Sequence, residues 1–218
     1  MGQKVNPHVI RLGTVYSWSS RWFDERTYKN TVLEDYGLRT MLMQRLRSAG
    51  VASVEIERSI NSLRIIIHVS RPGIVIGRGG TGLEELKKAI TAFFVKQRDS
   101  KQMPKIDIRV EPVKEPNLNA QLVASNIADQ LIRRLPFKRI LNSTAERVMG
   151  SGALGVKVVL TGRIGGAEIG RREKIRVGTV PVSTIRENIS YAQVPALTKK
   201  GYIGIKVWIN RPDGKEII

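Results

Sequence analysis

Apolar residues in this chain recur with the two periods that backbone geometry allows, 3.6 for a helix and 2 for a strand. Asp35 is placed to cap a helix that carries Leu38, Leu42, Leu46 and Ala49 on one face and ends at Gly50. Val54 and Ile56 alternate with Glu55 and Glu57, as in a half-buried strand. After an Asn61-Ser62 turn, a second strand sets Ile65, Ile67 and Val69 on one face. Pro72 opens a short helical segment, Gly73-Ile74-Val75-Ile76, which breaks at Gly77-Arg78-Gly79-Gly80. Thr81 with Glu84 three residues on predicts a capping box for a longer helix, striped by Leu83, Leu86, Ile90 and Phe93 or Phe94. A third strand, Ile106 to Val110, leads into Glu111-Pro112. The predicted order is helix, strand, strand, short helix, helix, strand.

A Pro-rich boundary, Pro112 to Pro116, opens the second half. Ala120, Ala124, Ile127, Leu131 and Leu135 form a helical stripe ended by Pro136. A further helix bears Ile140, Thr144 and Val148 and stops near Gly150. Val156, Val158 and Leu160 then alternate, Ile175 to Val180 are strand-like, and Ile203, Ile205, Val207 and Ile209 oppose Lys206 and Trp208. Between these strands, Thr184 with Glu187 predicts a short capped helix bearing Ile185 and Ile189. Two helices with three or four strands imply a compact α+β domain. The first 35 residues hold every Trp except Trp208 but show weak periodicity, so an extended arm with a short helical turn is expected there.

Charge narrows the function. The 218 residues hold 37 Lys+Arg against 19 Asp+Glu, a net of +18, while 41% hydrophobic residues mark a folding chain and not a disordered basic tail. A folded surface that repels itself this strongly is suited to a polyanion, because each neutralised phosphate releases counterions. Residues 37–112 carry a net +7 and residues 113–218 a net +10, against +1 for residues 1–36. Nucleic acid is favoured over membrane, since there is no run of about 18 apolar residues, no signal-peptide core and no long basic amphipathic helix. The Met1-Gly2 start hints at myristoylation, but Asn6 stands where that motif takes Ser or Thr. With no Cys and only His8 and His68, zinc ribbons, thiol nucleophiles and disulfide frameworks are excluded, and no catalytic constellation or cofactor is expected. His68, within an Ile-rich strand, is expected to be structural.

The stretch Ile74-Val75-Ile76-Gly77-Arg78-Gly79-Gly80 is the sharpest motif. Two helices joined through G-x-x-G let a single-stranded backbone approach closely, and the following helix presents its first amides to phosphate. In its helix and strand order this is the pattern of a prokaryotic-type KH domain. The same residues spell Gly77-x-Gly79-x-x-Gly82, a dinucleotide fingerprint, which needs a full strand ending at the first glycine. Pro72-Gly73 leaves three residues for it, and the acidic residue about twenty positions on, Asp99, falls in a polar 98–101 loop.

Two basic clusters accompany the glycine loop. Arg133, Arg134, Lys138 and Arg139 crowd a corner between two helices, either as a solvated face or as an RNA contact. Arg163-Ile164-Gly165-Gly166-Ala167-Glu168-Ile169-Gly170-Arg171-Arg172-Glu173, extended by Lys174 and Arg176, suits a flexible phosphate-binding loop, or an ordinary charged hairpin.

These residues resemble the S-three family of small-subunit ribosomal proteins, in its bacterial and organellar form. The resemblance lies in Met1-Gly2-Gln3-Lys4-Val5-Asn6-Pro7 with Arg11-Leu12-Gly13, in the G-x-x-G segment, and in Gly162 to Ile169. It continues in the ending Gly201-Tyr202-Ile203-Gly204-Ile205-Lys206-Val207-Trp208-Ile209, so it spans nearly the whole chain in order. It implies an α+β protein with an N-terminal arm (1–35), a prokaryotic-type (type II) KH domain (36–112), a C-terminal α/β domain with a mixed or antiparallel sheet (113–211) and a short tail (212–218). It further implies a non-enzymatic constituent of the cytoplasmic or organellar ribosome, binding rRNA in the subunit head beside neighbouring head proteins and lining the mRNA entry channel. In the family the corner matching Arg133 and Arg134 faces incoming mRNA and helps open its structure, while Leu135-Pro136-Phe137 before Lys138 and Arg139 departs from the family pattern. No long tail follows Pro212, so any tail function is expected to be absent.

Two other classes remain open: a free-standing KH regulator of mRNA, which leaves the basic C-terminal half unassigned, and a nucleotide-dependent enzyme, which explains only the fingerprint. Sedimentation with small subunits separates the first and a nucleotide titration the second. A net charge of +18 predicts that rRNA affinity falls steeply with salt, as when roughly five or more phosphates are neutralised. Binding measured across a salt series checks this, and a flat log K against log salt would count against an RNA partner.

Overall fold

The computed structural model describes residues 4–59, 61–97 and 105–212. The 98–101 loop, the Met1-Gly2 start and the tail from 213 lie outside the described residues. The chain forms two units, one of residues 18–114 and one that joins the N-terminal 17 residues to residues 115–217. The segment expected as an arm is thus shared: residues 4–17 belong to the second unit and residues 18–35 to the first.

In the first unit, β1 (Ser20–Arg21), β2 (Val51–Arg58), β3 (Ser62–Val69) and β4 (Lys105–Pro112) lie in that order in one sheet. The β2/β3 pair is antiparallel, while β1/β2 and β3/β4 are parallel. Helices α1 (Tyr28–Arg45), α2 (Pro72–Ile76) and α3 (Thr81–Gln97) complete the unit. Leu38 and Leu42 of α1 and Leu86, Ile90 and Phe94 of α3 pack with Val54, Ile56, Ile65, Ile67 and Ile106 of the sheet. His68 is buried in β3 with the Glu55 and Glu111 carboxylates at 3.5 and 3.6 Å, a structural placement.

Two helix starts differ from expectation. Asp35 is not a cap: α1 begins at Tyr28, because the Asp24 carboxylate already accepts the amides of Arg26 and Thr27 just ahead of it. Asp35 instead sits buried inside the helix, accepting from the Arg58 guanidinium (2.8 Å from Nε) and from the Trp22 indole (2.9 Å), while Glu34 takes Arg58 Nη1 at 2.9 Å. Thr81 does not form a capping box either. It has helical angles, and its hydroxyl donates back to the Arg78 carbonyl at 3.0 Å.

The second unit packs α4 (Ala120–Ile132) and α5 (Phe137–Gly150) on a four-stranded antiparallel sheet. Its strands are β5 (Gly155–Gly162), β6 (Arg171–Gly178), β7 (Ile189–Thr198) and β8 (Gly201–Asn210), in the order β6-β5-β8-β7. Asn119 caps α4, its side chain accepting from Gln121 and Leu122. Ala124, Ile127 and Leu131 face the core as expected, but Leu135 lies beyond the helix and is exposed.

No helix forms at Thr184–Glu187. The carbonyls of Val182, Thr184 and Glu187 accept instead from the Arg11 guanidinium at 2.9, 2.7 and 2.8 Å, and Arg11 is completely buried. The His8 ring stacks on Tyr16 at 4.4 Å, and its Nε2 accepts the Tyr191 amide at 3.1 Å. Arg211 donates to the Leu118 carbonyl at 2.7 Å. Strand β7 has small inward residues, Ala192 and Ala196, and tolerates Pro195 because it is an edge strand.

Burial, with Arg211 and Arg11 nearby, lowers the His8 pKa from 6.5 to about 4. An imidazole depressed in the folded state is protonated first in the unfolded chain. Its contribution to stability is therefore complete above pH 6.5 and is lost as pH falls towards about 4. Protonation also removes the lone pair that holds the Tyr191 amide. Denaturant melts of the native chain and of His8→Gln are expected to diverge over that window, the variant losing less stability on acidification; parallel pH curves would refute this role.

Candidate nucleic-acid interface

The glycine loop joins α2 to α3 through three left-handed glycines: Gly77 at φ 71°, Gly79 at φ 62° and Gly80 at φ 84°. The five residues before Gly77 form a helix and not a strand, so the nucleotide-binding fingerprint lacks its strand. The glycines serve two purposes. A Cβ on Gly82 would lie 2.5 Å from the Val75 carbonyl oxygen and one on Gly77 2.9 Å from the Gly82 nitrogen, so these two let α2 and α3 cross closely. A Cβ on Gly79 or Gly80 would meet nothing within 4 Å. With exposed Arg78, these positions form an open backbone tip bearing one cation.

At the α4–α5 corner, Arg133, Arg134, Lys138 and Arg139 are all exposed. The corner is built by the end of α4: the Arg134 amide bonds the Leu131 carbonyl at 3.0 Å and the Leu135 amide bonds the Gln130 carbonyl at 3.2 Å. This paired closure requires a left-handed residue at the first position past the cap, a place where Gly is the usual occupant. Here it is Arg134, at φ 61° the single non-glycine residue with positive φ among those described. Left-handed backbone costs an L side chain about 1–2 kcal/mol. No hydrogen bond or ion pair of the Arg134 side chain offsets this among the described residues.

The Gly/Arg-rich stretch is not one flexible loop. Ile164 is buried in the core, at the head of a single helical turn over Ile164–Gly166 that the Arg163 Nε closes by donating to the Ala167 carbonyl at 2.9 Å. From Arg171 the chain is strand β6, whose alternation sends its cations to opposite faces. Arg171 turns to the helix side, its guanidinium 5.2 Å from the Phe137 ring centroid and 3.4 Å from a Glu173 oxygen, and so joins the corner. Arg172, Lys174 and Arg176 turn to the other side.

On that other side Lys157, which sequence reading did not single out, lies with its ammonium 5.0 Å from the Trp208 ring centroid. Desolvation, and then Lys4, Arg172, Arg176 and Lys174, lower its pKa. The signal was present in the sequence: Lys157 alternates with Val156 and Val158 as Lys206 does with Ile205 and Val207.

Comparison with known proteins matches both parts of the chain to families. Residues 37–118 match the KH domain family model, and residues 127–209 match that of the ribosomal protein S3 C-terminal domain. A protein of Lachnoclostridium phytofermentans named small ribosomal subunit protein uS3 is 44% identical over 96% of this chain and 92% of its own length. Proteins of the same name from Desulfosudis oleivorans (45% identical, 96% of this chain, 94% of the relative) and Clostridioides difficile (46%, 96% and 75%) are similar to it over the same extent. With a KH domain, an S3 C-terminal domain and full-length relatives at this identity, the chain belongs to the uS3 family of ribosomal proteins.

Proposed function

We propose that this protein is a structural constituent of the small ribosomal subunit in the cytoplasm, binding small-subunit rRNA in the subunit head next to other head proteins and lining the mRNA entry channel. In this role the corner of Arg133, Arg134, Lys138 and Arg139, extended by Arg171, grips the phosphates of incoming message and helps open its structure. The observation that carries the reading is Arg134: a large cation held at a left-handed position, exposed, where glycine would be easier on the fold. Lys138 and Arg139 add to it, since cations in the first turn of α5 oppose the helix dipole. Residues that cost local stability in return for charge fit a surface built for a polyanion. In the same reading the Gly77–Gly80 tip admits RNA backbone, with Arg78 beside it, and Arg163 shapes the turn that leads into β6.

Two outcomes test these sites. The double change Arg78→Asp with Gly79→Asp is expected to weaken single-strand RNA binding at a stability cost of about 1 kcal/mol, because Asp is among the side chains that adopt a left-handed backbone most readily and a Cβ at position 79 meets nothing within 4 Å. Gly82→Ala is expected to do the reverse, costing about 1–3 kcal/mol of stability by overpacking against Val75. Equal RNA binding after the double Asp change would leave the tip as a helix connector only.

The triple change Arg133→Ala, Arg134→Ala and Lys138→Ala is expected to leave subunit incorporation nearly intact and to slow translation through a hairpin-containing message, not an unstructured one. Arg134→Gly alone is expected to raise unfolding free energy by about 1 kcal/mol while sharing part of that defect. Equal slowing on both messages, or none, would remove the corner from this role.

A further inference from the structure

Strand register places a second cationic surface on the C-terminal sheet, on the face turned away from α4 and α5. Val156, Val158 and Leu160 of β5 and Ile205, Val207 and Ile209 of β8 point into the core, so the residues between them share the opposite face. Read across β6, β5, β8 and β7, one row is Arg176, Lys157, Trp208 and Tyr191. The next is Lys174, Val159, Lys206 and Gln193, and the third is Arg172, Thr161, Gly204 and Pro195. Five cations and no carboxylate occupy these twelve positions. Lys157 stands directly opposite Arg176, an unfavourable like-charge pairing within an antiparallel sheet. Arg172, Lys174, Arg176 and Lys206 are exposed and form no ion pair among the described residues.

Of the aromatic groups on this face, Trp208 is covered and Tyr191 is half-buried. Trp208 is 7% exposed, capped by the Lys157 ammonium and packed against the Tyr191 ring at 5.2 Å, within a small cluster that includes Val159, Val180 and Ile189. Single-stranded RNA is held largely by stacking of its bases on exposed rings, whereas helical RNA is held through phosphates and sugar hydroxyls. Among the described residues, the one fully exposed ring that strand alternation assigns to this face, Tyr202, stands at the end of β8 past the last cation row. The cations lie about 7 Å apart along β6, and those of β6 and β8 about 10 Å apart across two strand spacings. Such a grid presents several cations at once to the phosphates of an RNA helix without reading bases.

We propose that this outer sheet face is a docking site for the backbone of a base-paired RNA helix, separate from the α4–α5 corner and its single-stranded message. The proposal rests on the RNA-binding reading above but fails independently of it.

The test uses the full chain with two probes: an RNA duplex of about sixteen base pairs and a uridine strand of matching length, each titrated over a salt series. The variant is Arg172→Gln, Lys174→Gln, Arg176→Gln and Lys206→Gln together. Its duplex affinity is expected to fall about tenfold or more, with the slope of log K on log salt reduced by about 3, while uridine-strand affinity changes less than about twofold. Its melting temperature is expected to hold or rise, since like charges are removed.

A charge-keeping variant (R172K, K174R, R176K, K206R) covers the case in which the first misfolds, and is expected to keep duplex affinity. Tyr202→Ala is expected to leave duplex binding as it was. Equal loss on both probes, unchanged duplex binding, loss in the charge-keeping variant, or a defect in the Tyr202 variant confined to the uridine strand and matched by the glutamine variant would each overturn the proposal. Unchanged duplex binding in a glutamine variant that no longer enters small subunits would point to a protein neighbour on this face. If the native chain itself neither binds RNA nor enters subunits, the ribosomal reading falls first.

Discussion

A guanidinium withdrawn from water must be surrounded by acceptors, and both units of this protein are organised around that requirement. In the KH unit Arg58 is enclosed by Asp35 and Glu34, with the Phe94 ring 5.8 Å away, which ties the end of β2 to the first helix and to the core. In the C-terminal unit Arg11 and Arg211 donate to carbonyls, those of Pro7, Val182, Thr184, Glu187 and Leu118. The demand of each buried cation sets local backbone structure. The 181–188 segment curls into turns because Arg11 takes the carbonyls that a helix would have used. The positive charges of the chain thereby include an inner set with dedicated acceptors and an exposed set in which some, such as Arg134, Arg172 and Lys206, form no ion pair among the described residues.

That division explains which parts of the fold were legible in the sequence. Periodicity located every strand of the KH unit beyond the two-residue β1, and it located α4, α5, β5, β6 and β8, because their inward residues are large and apolar. It failed where tertiary chemistry replaced local preference. Asp35 is a good cap by type, yet the side chain that organises the start of α1 is Asp24, and Asp35 is needed by Arg58 and Trp22. The Thr184–Glu187 segment has the spacing of a capped helix, and nothing nearby in sequence discloses an arginine more than 170 positions away. Strand β7 went unseen because its fully buried core residues on the helix side are alanines and it contains a proline.

For the candidate site, residue types were legible and their grouping was not. The glycine loop was readable as a motif, although only the backbone shows that Gly77 and Gly82 serve packing while Gly79 and Gly80 keep the tip open. The Arg/Gly stretch looked like one cationic loop. In the folded chain a strand begins at Arg171, and the two-residue repeat sorts neighbours onto different surfaces, so that Arg171 belongs with Phe137 and Arg172 with Thr161. The left-handed angle of Arg134 could not be anticipated, because the helical stripe was expected to run to Leu135 and the helix ends at Ile132, three residues earlier.

The N-terminal segment, whose Arg11 and His8 reach residues 170 to 183 positions onward, makes the C-terminal unit discontinuous in the chain. During synthesis this segment is made some 170 residues before the carbonyl and amide partners it needs. At roughly 5–20 residues per second, it waits on the order of ten to thirty seconds, while the complete 18–114 segment can fold in between. Closing so long a span is slow for entropic reasons, but its cost grows only logarithmically with length. Folding of residues 18–114 as a unit removes that segment from the flexible chain between Arg11 and its partners.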